Sequence, residues 1–152
     1  MKTVIFCLLC CLSVLAADTN EIRLVKWTDD RVSPGYLVTY EEFTRSGQTN
    51  LLRVTTSQNG VTSSTAHNFY HRGAYLGRYS KASGCTFVNA APGAPVMLTF
   101  VWDSSNQLKT ASVSATNYVI LDSFTYTNGL FYPAGSSEIE ESNRKTKGIL
   151  PR

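Results

Sequence analysis

Two Asn-Gly doublets constrain this chain more than any other feature. Asn59-Gly60 stands between Leu51-Leu-Arg-Val-Thr-Thr56 and Val61-Thr-Ser-Ser-Thr65, and Asn128-Gly129 stands between Ser123-Phe-Thr-Tyr126 and Leu130-Phe-Tyr132. Asn-Gly is the strongest short hairpin signal, because both residues tolerate the positive φ that a two-residue type I′ turn needs. Other breaks recur between runs of β-forming residues: Ser33-Pro34-Gly35, Arg45-Ser-Gly47, Lys81-Ala-Ser-Gly84 and Asp103-Ser-Ser-Asn106. Nowhere is helical periodicity sustained. The pattern predicts an all-β fold, an antiparallel sandwich or barrel of about ten short strands.

These strands are expected over 22–27, 36–44, 51–56, 61–65, 74–79, 85–89, 96–102, 108–114, 118–121, 123–126 and 130–132. The segment 96–102 is apolar on both of its alternating faces, with Val96, Leu98, Phe100 and Trp102 on one and Met97, Thr99 and Val101 on the other. That predicts a central strand buried on both sides. Gly77 interrupts Ala74-Tyr-Leu-Gly-Arg-Tyr79, which predicts a bulge or a close backbone approach.

The N-terminus has the pattern of a secretory signal peptide over 1–16: Lys2, an apolar run from Val4 to Leu15, then small residues. One β-rich domain is expected over 17–135 and a flexible, Glu-, Ser- and Lys-rich tail over 136–152. The expected localisation is secreted and extracellular. Cleavage would remove Cys7, Cys10 and Cys11 and leave Cys85 alone, so an internal disulfide is excluded. Cys85 is then either a small buried hydrophobe or a bridge to a second copy, making a homodimer. The net charge of +3 is too small to argue for nucleic acid or an anionic membrane as partner. No asparagine begins an Asn-x-Ser/Thr sequon.

The window 67–88 holds both histidines, three tyrosines and two arginines. His67 and His71 are four apart, but no glutamate lies between them and no third ligand is near, so neither metal nor cofactor is expected. No serine sits in Gly-x-Ser-x-Gly, and adjacent carboxylates such as Asp29-Asp30 or Glu41-Glu42 point to opposite faces of a strand. The chain is therefore not expected to be an enzyme. Tyrosines offer flat apolar faces with a polar tip, and arginines offer several donors. That combination suits sugar rings, and His71, Arg72, Tyr75, Arg78 and Tyr79 are the expected ligand-binding residues. Tyr75 and Tyr79 would share one side of a regular strand, and a bulge at Gly77 would alter that register. The plain alternative is that these tyrosines pack on a sheet face.

Several of these residues also carry a family resemblance. Trp27 precedes Ser33-Pro34-Gly35-Tyr36-Leu37-Val38; His71-Arg-Gly73-Ala74 forms a His-x-Gly turn; Gly77-Arg78-Tyr79, Gly84-Cys-Thr-Phe-Val88 and Tyr118-Val-Ile-Leu121 follow. In this order the chain resembles the DM-nine repeat family over 27–121. It departs from the family in lacking a glycine before Arg53 and a second repeat after Leu121. The resemblance implies a lectin-like or immune-recognition role. The expected function is a secreted, non-enzymatic recognition module for a glycan or other extracellular ligand. The alternatives are a structural, matrix or venom-type secreted protein and a small hydrophobic-ligand carrier built as a closed barrel.

Overall fold

A computed structural model describes residues 22–88 and 96–136 in full and the backbone of 145–149. The expected leader, the loop over 90–95 and most of the expected tail lie outside these residues. Eleven strands form: β1 (Ile22–Asp29), β2 (Tyr36–Arg45), β3 (Gln48–Gln58), β4 (Val61–His71), β5 (Ala74–Ser80), β6 (Gly84–Phe87), β7 (Val96–Trp102), β8 (Leu108–Ala115), β9 (Ile120–Thr127), β10 (Leu130–Pro133) and β11 (Lys145–Ile149). No helix occurs among the described residues. One sheet has the order β11-β1-β2-β3-β4-β5-β6 and the other β10-β9-β8-β7. All pairs are antiparallel except β11, which runs parallel to β1 within the segment expected to be tail. The sheets do not close on themselves, which selects the sandwich over the barrel.

Four two-residue hairpins draw the larger sheet and the last ribbon together. Ser46-Gly47, Asn59-Gly60, Arg72-Gly73 and Asn128-Gly129 each have positive φ at both positions, the requirement of a type I′ turn. The two Asn-Gly doublets were legible as turns. Arg72, at φ 47°, adopts the left-handed region where a long side chain is uncommon.

Alternation puts one face of each sheet inside. Phe43, Leu51 and Phe69 from β2–β4 meet Phe100, Ala111, Val113, Phe124 and Phe131 from β7–β10. Phe69 sits at the centre, edge-on to Phe124, Phe131 and Phe100 at 5.0, 5.1 and 5.5 Å between centroids. Edge-to-face contacts of this kind add to the burial of each ring. A second inner row is polar: Glu41, Arg53 and His67 face the same interior and are buried.

Two expectations about strands change. β7 is an edge of the smaller sheet, and Met97, Val101 and Trp102 are exposed. An apolar run reads the same whether its second face is covered by protein or left in water, so periodicity could not place it. The expected strands 118–121 and 123–126 are replaced by one strand, β9, which starts at Ile120 after a turn through Tyr118, and whose pairing skips Leu121: Ser114 faces Ile120 and Val113 faces Asp122.

A candidate ligand cleft at one end of the sandwich

Two β-bulges and two hairpin turns meet at the same end of the molecule. In β3 the pairing passes from Leu51 to Thr49, leaving Asn50 as the extra residue. In β9 Leu121 is the extra residue. A bulge bends its strand and re-aims a side chain that regular alternation would commit to one face. Here both bulged residues line a cleft of about 260 Å³. The turn after β2 contributes Arg45 and Ser46, the turn after β4 contributes His71 and Arg72, and β9 contributes Asp122.

Asp122 organises the polar groups. Its side chain is 10% exposed; Oδ2 lies 3.2 Å from His71 Nδ1, and Oδ1 lies 3.7 Å from Arg45 Nε. Nη2 of Arg45 donates to the Ala134 carbonyl at 3.3 Å, so the guanidinium is held on two sides. With Nδ1 donating to Asp122, the ring's Nε2 is the nitrogen left for other partners. Asn50 is 5% exposed, and its side-chain carbonyl is buried without a hydrogen-bond partner among the described residues. An unpaired buried acceptor costs about 1–3 kcal/mol; its oxygen is closed to solvent, so a donor in the cleft gains it when the amide turns outward. Arg72 is exposed and makes no ion pair among the described residues.

The expected site residues separate into three places. His71 and Arg72 stand in the cleft. Tyr75 and Arg78 lie on the outer face of the larger sheet, where Tyr75 pairs with Tyr70, with rings 5.5 Å apart, and Arg78 lies opposite Asn68. Tyr79 points into the core, with its ring 5.7 Å from both Phe131 and Tyr126. Desolvation, helped by Tyr126, pushes its phenol up to about 12.

Tyr75 and Tyr79 part for one reason. Pairing between β4 and β5 runs from Phe69–Gly77 to Tyr70–Tyr75, so Leu76 is an extra residue and Tyr75 and Tyr79 fall on opposite faces. The suspected bulge is real and sits one residue before Gly77. Gly77 itself is the close approach: a Cβ there would lie 2.5 Å from the Thr86 carbonyl oxygen.

Arg45 and Asn50 escaped the sequence reading, and so did the link between Asp122 and His71. Asp122 is 51 residues from the histidine it contacts, and no local pattern links them. Asn50 could have been suspected only from the register slip beside it. Cys85 is half-buried, packs against the core and has a thiol pushed up by desolvation, the opposite of an activated nucleophile.

Chemically the cleft is half of a nucleophile-activating relay, an imidazole oriented by a carboxylate. Among the described residues no hydroxyl or thiol hydrogen-bonds that imidazole. What the cleft offers is donors and acceptors side by side, with the 43% exposed Leu121 as an apolar wall. No family model, curated protein or solved structure matches this chain.

Proposed function

We propose that this chain is a secreted, non-enzymatic recognition module that binds carbohydrate in the end cleft. One observation carries the reading: the unpaired, buried Asn50 carbonyl shares a small cleft with the Arg45–Asp122–His71 chain. Sugar hydroxyls donate and accept at once, so they match a site where guanidinium N–H groups alternate with amide, carboxylate and imidazole acceptors. Leu121 supplies a surface for the C–H face of a ring. The resemblance of the His71-Arg-Gly73-Ala74 turn to DM-nine repeats points the same way.

A glycan array with the purified protein tests the reading. Binding is expected, with about ten-fold or greater loss in Asp122→Ala and His71→Ala, each of which removes a charge-assisted contact. Tyr75→Ala, on the outer face, should change affinity little. A blank array from folded protein would overturn the proposal.

The uncharged edge strand β7, with Met97, Val101 and Trp102 exposed, favours a second reading as an assembling structural protein. Its test is the state of association in solution.

A further inference from the structure

We infer that the unit bound in the end cleft is an acidic sugar, its anionic group held by Arg72 and its ring hydroxyl donated to the Asn50 carbonyl. The inference rests on the carbohydrate reading and adds the charge of the ligand. Two guanidinium groups, Arg45 and Arg72, line the cleft against one carboxylate, Asp122. Arg45 is already engaged, by Asp122 and by the Ala134 carbonyl. Arg72 is the uncommitted cation: it makes no ion pair among the described residues, and the hairpin sets it at the rim.

The rim position matters because of how Arg72 is held. Its φ of 47° and that of Gly73, 77°, define the tight turn, so the backbone beneath this side chain is fixed by the β4–β5 hairpin. A guanidinium presented from a rigid turn loses little backbone freedom on binding a carboxylate or sulfate, and it matches either group with two parallel hydrogen bonds. Deeper in, Asn50 offers an acceptor and no charge. Inorganic sulfate has no donor for that carbonyl; a hydroxylated ring carrying an acid satisfies both ends. Uronic acids and sulfated sugars share this chemistry.

NMR titration of the purified protein with glucuronate, glucose 6-sulfate, glucose and inorganic sulfate tests the inference. Glucuronate, glucose 6-sulfate or both should bind about ten-fold more tightly than glucose, the worth of one charge-assisted contact. That advantage should shrink as salt is raised. The variant Arg72→Asn keeps a residue that accepts the left-handed φ. It should bring the acidic sugars down to the affinity of glucose and leave glucose unchanged. Asn50→Ala should weaken acidic and neutral sugars alike. If glucose binds as well as both acidic sugars and Arg72→Asn changes nothing, the charge assignment is wrong while the carbohydrate reading stands. If inorganic sulfate binds as tightly as the acidic sugars, the Asn50 contact is refuted. If neither acidic nor neutral sugar binds, both readings fall together.

Discussion

Arg53 and His67 are neighbours across β3 and β4, and both are 1% exposed. Each is kept in the interior by specific partners. Arg53 Nη2 lies 3.1 Å from Glu41 Oε2, its Nη1 donates to the Phe131 carbonyl at 3.2 Å, and its guanidinium lies over the rings of Phe43 and Tyr132 at 4.8 and 4.7 Å. A delocalised, weakly hydrated cation between aromatic faces is the form of positive charge a core tolerates best. His67 must then be neutral. Burial lowers its pKa to about 4, Arg53 adds to that shift, and the Tyr79 main chain opposes it. Its Nε2 accepts the Phe131 N–H at 3.1 Å, which ties β4 to β10 across the sandwich. The sign of the pH dependence follows. Between about pH 6.5 and 4 the unfolded chain takes up a proton that the folded chain refuses, so stability is full above that window. It falls as the pH drops through it, by up to roughly 3 kcal/mol. Urea midpoints measured at pH 7 and at pH 4.5 check this. His67→Gln, which keeps an acceptor for Phe131, should flatten that part of the profile. Neither polar core residue was expected to be buried. Charge and hydrogen-bonding capacity argue for the surface unless a partner is known, and these partners come from other strands.

Among the elements, β5 shows how a single extra residue reassigns faces. Leu76, Gly77 and Tyr79 turn inward and Tyr75 and Arg78 outward. The interruption at Gly77 was legible because glycine in a strand forfeits side-chain packing and persists where a backbone comes close. The Thr86 carbonyl is that backbone. Gly77→Ala should therefore cost about 2 kcal/mol through overpacking against main chain. By contrast, Arg78→Ala, on the exposed face, should stay within about 0.5 kcal/mol. Equilibrium urea unfolding of the two variants separates these outcomes. The hairpins were the most legible elements, since their chemistry is local: Asn-Gly carries its own turn geometry. The bulges at Asn50 and Leu121 were not, because a register slip is a property of two strands and neither residue type announces it.

For the whole molecule, β6 and β7 are edges of their respective sheets. β7 contains no charged residue, and Phe87 at the end of β6 is 57% exposed. Edge strands normally carry a lysine, a proline or a bulge that discourages pairing with another chain. Sedimentation analysis is expected to show association that grows with concentration. Val101→Lys, which places a charge on the outer face of the edge, should suppress it with little change in stability. A wild-type chain that stays monomeric across the concentration range would remove the assembling-protein reading.

The sequence by itself determined the class of fold and most of its punctuation. Strand alternation and turn residues are local, short-range properties, so β1 to β10 were largely visible before any were paired, while β11 lies in the segment expected to be tail. His71 and Arg72 were singled out for the same reason, since they sit in and beside a turn that reads plainly. Tertiary structure decided what those residues face. Whether an apolar strand is central or at an edge, whether Tyr79 meets a ligand or Phe131, and which carboxylate orients His71 all depend on contacts between chain segments far apart in sequence. The cleft is made of such contacts: an asparagine displaced by one bulge, a leucine displaced by another, and an aspartate brought from the opposite sheet. Packing two twisted sheets face to face is what brings their ends together, and no local pattern encodes that approach.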